Sequence, residues 1–136
     1  MASIAFIGLG NMGVPMAANL VKAGFDVTGF DVSPAARAAA VEAGIATAES
    51  LADAGNGATI AILMLPNSDI VESVMLEQGL AQALADGALV LDMSSSDPMR
   101  TRALSGALAE RDLRLVDAPV SGGVKGAVAA SLTIMV

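Results

Sequence analysis

The 136-residue sequence predicts one α/β domain, a mostly parallel sheet doubly wound with helices on both faces. Three observations predict it. Short apolar runs alternate with helical patterns along the whole chain. The first run, residues 4–7, leads directly into G-x-G-x-x-G at Gly8, Gly10 and Gly13, where a helical pattern begins. The second expected strand, residues 25–30, ends at Asp31, an acidic residue about twenty positions beyond the glycine cluster. Together these are the signs of a Rossmann-type sheet, whose ligands bind beyond the carboxyl ends of its strands.

Residues 4–7 are β-branched or large apolar side chains and read as a buried strand. Gly8 allows the tight turn out of it. Gly10 lacks a Cβ, so a pyrophosphate can approach the backbone, and Gly13 lets the next helix pack close to the sheet. In that helix, over residues 12–23, Met12, Met16 and Leu20 recur at i, i+4 and i+8, with Ala17 and Val21 beside them. Pro15 falls in the first turn, where a missing N–H costs little, and Gly24 is the stop. The N-terminus of the helix offers free N–H groups and a positive dipole end to phosphates. Asp31 is placed to accept hydrogen bonds from adenosine ribose hydroxyls. It also suits a solvated turn before Ser33-Pro34, and the glycine loop upstream tips the balance to ribose.

Residues 34–43 form an alanine-rich helix with Ser33 as N-cap and Gly44 as stop. Arg37 reads as a solvated residue of that helix, within reach of an adenosine 2′-phosphate if one were bound. A short helix over 48–54 ends at Gly55-Asn56-Gly57. Residues 59–65 are a continuous apolar run, a strand buried on both faces that stops at Pro66-Asn67. Short helical patterns at 69–75 and 80–85 flank Gly79. A strand over 89–91 ends at Asp92, and the turn Ser94-Ser95-Ser96-Asp97-Pro98 leads into a helix over 99–110. Residues 113–116 are a further strand. A second glycine-bearing loop follows, Asp117-Ala118-Pro119-Val120-Ser121-Gly122-Gly123, then a short helix at 126–130 and a last strand at 132–136. Each polar loop follows a strand, so together they line one rim. Turn chemistry accounts for any one of them taken alone.

Composition narrows the functional classes. The chain is 54% hydrophobic and 2% aromatic, with much alanine, which suits helices packed on a buried sheet. A net charge of −7 argues against an electrostatic nucleic-acid binder. Without cysteine there are no disulfides and no thiolate metal sites, and without histidine there is no imidazole base or ligand in this sequence. The opening residues enter a strand with no basic segment and apolar core of a secretion signal, and no apolar run reaches the roughly twenty residues of a membrane span. The expectation is a cytoplasmic, soluble protein without nucleic-acid or membrane partners.

The residues Phe6-Ile7-Gly8-Leu9-Gly10-Asn11-Met12-Gly13, then Met16-Ala17, Asn19-Leu20, Lys22 and Gly24, resemble the signature of the β-hydroxyacid dehydrogenases. That family includes 3-hydroxyisobutyrate dehydrogenase, tartronate semialdehyde reductase and relatives of 6-phosphogluconate dehydrogenase. The likeness continues through Met64-Leu65-Pro66-Asn67, Asp92-Met93-Ser94 and the loop from Asp117 to Gly123, and so covers essentially the whole chain. It implies that residues 1–136 are the dinucleotide-binding domain, with NAD as cofactor in preference to NADP. It implies that Gly8, Gly10, Asn11, Met12 and Gly13 form the pyrophosphate loop, that Asp31 holds the ribose, and that Leu65 and Pro66 line the dinucleotide. Ser95 stands where the family commonly has threonine near the nicotinamide. Ser121, Gly122 and Gly123 would hold the carboxylate of a small substrate. Ala130 replaces a usual glycine.

The same resemblance implies a catalytic lysine and an all-helical second domain beyond residue 136, and a homo-oligomeric full-length protein. Lys125 directly follows the carboxylate loop and lacks the glycine-and-asparagine context of that lysine; it reads as a solvated turn residue. The implied reaction moves hydride between nicotinamide and a small 3-hydroxy acid or semialdehyde, and the carbonyl oxygen needs a proton from a positioned acid. The chain has no His, Tyr or Cys to serve. Two functions are therefore expected in order: the coenzyme part of a 3-hydroxyacid dehydrogenase, inactive alone, and a dinucleotide sensor without chemistry. The second glycine loop favours the enzyme, because a sensor has no need of a carboxylate cradle.

Overall fold

A computed structural model describes residues 3–94, 97–121, 126–127 and 133–134. Its elements are β1 (Ser3–Ile7), α1 (Gly13–Lys22), β2 (Asp26–Phe30), α2 (Pro34–Glu42), β3 (Ala46–Thr47), α3 (Leu51–Gly55) and β4 (Ile60–Leu63). Then come α4 (Ser68–Glu72), which runs on as a π-helical turn (Ser73–Glu77), α5 (Leu80–Ala83), β5 (Leu89–Asp92), α6 (Pro98–Ala109), β6 (Arg114–Asp117), β7 (Val120–Ser121) and β8 (Thr133–Ile134).

Among the described residues β1 to β6 form one six-stranded sheet in the order β3-β2-β1-β4-β5-β6, every pairing parallel. The winding runs outward in both directions from β1. The crevice between the carboxyl ends of β1 and β4 is therefore the topological switch point. Alternate residues of β1 face opposite sides. Ala5 and Ile7 pack with Leu63, Met75, Leu80 and Leu108 beneath α3 to α6. Ile4 and Phe6 pack with Ala17, Val27 and Ile62 beneath α1 and α2. This double burial is why the central strands β1 and β4 read as apolar runs rather than as an alternation.

The doubly wound parallel sheet is as expected, with two differences. β3 is an added edge strand of two residues, too short to leave a pattern. The last strand does not join the parallel sheet: Thr133 and Ile134 pair antiparallel with Ser121 and Val120, in a region read as loop. Of the expected helix at 126–130, Gly126 and Ala127 are helical, and 128–130 lie outside the described residues.

The turn between β1 and α1 is built by excluded side chains. Gly8 has φ +105°, the left-handed region, and a Cβ there would strike the Met64 carbonyl. At Gly13 a Cβ would strike the carbonyl oxygen of Gly8, so the first turn of α1 sits directly on the loop that precedes it. A Cβ at Gly10 would meet nothing within 4 Å. Gly13→Ala should therefore cost about 1–3 kcal/mol or more in urea unfolding. Gly10→Ala should stay within about 0.5 kcal/mol.

At the carboxyl ends of β5 and β6, Asp92 and Asp117 lie opposite each other in register. Burial first, and the neighbouring Asp92 charge second, raise the Asp117 carboxyl above its ordinary 3.8. The folded chain thus holds this proton more tightly than the unfolded chain does. Its contribution to stability declines as pH rises from about the ordinary value through the raised one. Asp117→Asn should remove that decline, so its melting temperature should gain on the parent's as pH rises through this window in a thermal-melt series.

Candidate functional site

Beyond the carboxyl ends of β1, β2 and β4 the structure opens a cavity of about 190 Å³. Gly8, Asp31, Leu65 and Pro66, four of the residues expected at the cofactor, all line it. The remaining lining is Ile7, Phe30, Val32, Leu51, Ile70, Val74 and Gln78, which the sequence reading did not single out. Three of these, Ile70, Val74 and Gln78, recur at i, i+4 and i+8 along α4, the turn that extends it and its C-cap, a spacing that marks one helix face but not what that face meets. Gly10 and Asn11 are exposed on the other side of the loop, at the mouth of an open groove between α1 and α2 lined largely by alanines. Met12 is the N-cap residue of α1, and no side chain caps that helix.

Asp31 is more than a turn residue. Its Oδ2 accepts the N–H of Leu9 in the glycine loop at 2.9 Å, and its Oδ1 accepts the N–H of Ser33 at 2.9 Å. Each oxygen keeps a second lone pair for a hydroxyl donor. Ser33 caps α2 as expected, its Oγ accepting from Ala36 N at 3.2 Å. Arg37 is not a solvated residue of α2. Its Nη1 donates to the Asp31 carbonyl at 2.9 Å, and its guanidinium carbon lies 5.7 Å from the centroid of the Phe30 ring.

The next loops on the rim are bound to one another. Ser94 is fully buried; its Oγ accepts the Leu65 N–H at 2.8 Å, and its own N–H donates to Asp92 Oδ1 at 2.9 Å. This fixes Leu65 and Pro66 against the end of β5. Three residues on, the Asp97 N–H donates to the buried Ser68 Oγ at 2.8 Å, and Arg100 pairs with Asp69 at 2.6 Å. Both flanks of the Ser95-Ser96 segment are thereby held to α4 and the loop before it. Ser95, Gly122, Gly123, Lys125 and Ala130 lie outside the described residues, as does the side chain of Ser121, whose backbone ends β7. On α1, Asn19 donates through Nδ2 to the Ala127 carbonyl at 2.6 Å, joining the helix after the first glycine loop to the chain after the second.

The arrangement fits a dinucleotide. Gly10 leaves open space where a Cβ would stand, α1 begins uncapped, and an acidic acceptor borders a mainly apolar cavity. Among the described residues, no helix is long and apolar enough to cross a membrane.

Comparison with known proteins agrees with this geometry. The chain is 48% identical over 137 residues to an NAD-dependent L-serine dehydrogenase of Pseudomonas aeruginosa, covering 100% of this chain and 46% of that protein. It is 47% identical to a 3-hydroxyisobutyrate dehydrogenase of the same organism, with the same coverage. Mycobacterium tuberculosis 3-hydroxyisobutyrate dehydrogenase, solved with L-serine, superposes with a TM-score of 0.94 at 41% identity, over 99% of this chain and 46% of that one. The chain thus spans a little under half the length of these relatives, and the resemblance read from its motifs holds. Its residues 3–136 match the family described as the NAD binding domain of 6-phosphogluconate dehydrogenase, and to that family the chain belongs.

Proposed function

We propose that this chain is the coenzyme-binding part of an NAD-dependent dehydrogenase acting on a small 3-hydroxy acid or the matching semialdehyde. The observation that carries the reading is the Asp31 carboxylate, bonded to Leu9 N–H and bordering the cavity at the switch point. The relatives, a 3-hydroxyisobutyrate dehydrogenase and an L-serine dehydrogenase, support the substrate class.

In this reading the N–H groups of Gly10, Asn11 and Met12 meet the pyrophosphate, where backbone dipoles and the start of α1 favour negative charge. Gly8 and Gly13 shape that loop. Asp31 accepts from the adenosine ribose, and Leu65 and Pro66 border the dinucleotide. Ser95 serves beside the nicotinamide, and Ser121, Gly122 and Gly123 take the substrate carboxylate. Bound nicotinamide supplies the hydride chemistry. As the family resemblance implies, proton transfer falls to a lysine on a helix beyond the last strand, ahead of a second domain that closes the cleft; this sequence itself has no histidine, tyrosine or cysteine to take that part. NAD is preferred to NADP because a carboxylate at Asp31 repels a 2′-phosphate, and Arg37, held on the Asp31 carbonyl and the Phe30 face, is already engaged.

Titration followed by nicotinamide fluorescence tests this cleanly, because the chain has no tryptophan or tyrosine. NADH should bind more tightly than NADPH by about 1–3 kcal/mol; equal affinities would overturn the assignment of Asp31. Gly10→Val should abolish NADH binding with an unchanged far-ultraviolet circular dichroism spectrum, since Gly10 is exposed and a Cβ there meets nothing within 4 Å. Asp31→Asn should weaken both cofactors as well as narrow the preference. An amide keeps only one acceptor oxygen, and a hydrogen bond to a charged group is worth about 1.5–3 kcal/mol.

A further inference from the structure

We propose that Gln78 reads the adenine base, so that the chain discriminates adenine from other purines and not only one dinucleotide phosphate pattern from another. This rests on the reading of the cavity as the adenosine end of the cofactor site. The cavity wall is apolar except at two side chains, Asp31 and Gln78. Asp31 is assigned to the ribose. Gln78 is the remaining polar side chain at a pocket whose other walls, among them Val32, Leu65, Ile70 and Val74, suit the faces of a flat base.

The backbone places Gln78 there by an unusual route. α4 widens into the π-helical turn at Ser73–Glu77, and the N–H of Gln78 donates to the Ser73 carbonyl five residues back, at 2.8 Å. Such turns insert an extra residue into a helix and shift the side chains that follow; they recur at functional sites. The Gln78 side chain is then fixed by the same residue: Nε2 donates to Ser73 Oγ at 3.0 Å. An exposed glutamine on a helix end has no need of such a tether, and ordering it costs rotamer entropy. Tethered, the amide retains one N–H donor and its Oε1 acceptor. That pair complements the adjacent amine donor and ring-nitrogen acceptor of adenine, the pairing glutamine makes with this base elsewhere. In hypoxanthine a carbonyl replaces the amine, so Oε1 would face an acceptor instead of a donor.

The test compares dissociation constants for NADH and reduced nicotinamide hypoxanthine dinucleotide, read by nicotinamide fluorescence on the parent chain and on Gln78→Leu. The parent should hold NADH about tenfold tighter, the scale of one hydrogen bond with its desolvation. Gln78→Leu should bring the ratio close to one by weakening NADH alone. Gln78 is exposed, so the substitution should leave the melting temperature unchanged. A parent ratio near one overturns the proposal. So does a Gln78→Leu chain that weakens both ligands equally, because that is what a merely structural role would give. A parent that binds neither dinucleotide overturns the cofactor reading itself.

Discussion

The carboxylate of Asp31 accepts one backbone N–H from each side, Leu9 in the glycine loop and Ser33 at the cap of α2. Much of the site depends on this pair of bonds. Leu9 is 2% exposed, so its N–H has no ready alternative in water, and a buried donor left unpaired costs about 1–3 kcal/mol. The parallel pairing that sets Ile7 beside Phe30 brings the two loops within reach. The Gly8 N–H, donating to the Phe30 carbonyl at 3.0 Å, continues the ladder into the turn. The carboxylate then locks what the ladder aligns. In the proposed reading, the group that recognises ribose also fixes the loop that receives pyrophosphate, so the two subsites keep a constant spacing before any ligand arrives.

The rest of the rim repeats this solution with neutral groups. Loops leaving a parallel sheet carry backbone N–H groups that the ladder no longer satisfies, and a buried rim cannot leave them bare. Ser94 takes the N–H of Leu65, Ser68 takes that of Asp97, and the Asn19 side-chain N–H donates a hydrogen bond to the Ala127 carbonyl. Each bond joins segments that are distant in sequence. The consequence is rigidity where the strands end, which pre-organised binding requires. The start of α6 is tied to α4 by the Asp97–Ser68 bond and the Arg100–Asp69 pair.

How far this was legible in the sequence follows from which forces write on it. Burial on both faces imposes apolar runs, so β1, β4 and β5 could be read directly; β2 and β6, which begin at the exposed Asp26 and Arg114, were legible from their place between helical patterns, and α1 from its i, i+4, i+8 spacing. The glycines of the first loop announced themselves because steric exclusion tolerates no other residue at Gly8 and Gly13. β3 left no trace: two edge residues bury too little to impose a pattern. β7 lay in a stretch that reads as loop, and the last strand was legible without its antiparallel partner, because pairing of two-residue segments is decided by tertiary placement. The cavity wall from α4 was missed for a different reason. Ile70, Val74 and Gln78 share one helix face, but nothing in their spacing says whether that face meets core or ligand. Asp31 follows β2, as its spacing from the glycine loop suggested, but its bond to Leu9 left no sign in the sequence, because a hydrogen bond across 22 residues depends on register. Arg37 shows the reverse error: a charged residue on an alanine helix reads as solvated, yet a carbonyl and an aromatic face beside it were enough to hold it.

The charge of the chain makes a final point about how such a rim handles anions. There are 14 acidic and 7 basic residues, and two of the acids, Asp92 and Asp117, end neighbouring strands at the rim itself. A dinucleotide and a carboxylate substrate would both bring negative charge to this surface. Cationic side chains would be one remedy, but a long flexible lysine or arginine loses rotamer entropy on binding and carries its own solvation. Backbone N–H groups at an uncapped helix start are fixed in direction, do not titrate, and are already ordered by the fold. They also act at short range, so they attract a phosphate that is well seated and do little for one that is not. The open space at Gly10 and the start of α1, which no side chain caps, suit that remedy, while the Asp31 carboxylate is occupied by the N–H groups of Leu9 and Ser33. An acidic protein can in this way hold an anionic cofactor without a basic patch, provided its loops are held as rigidly as the bonds of Asp31 and Ser94 hold them.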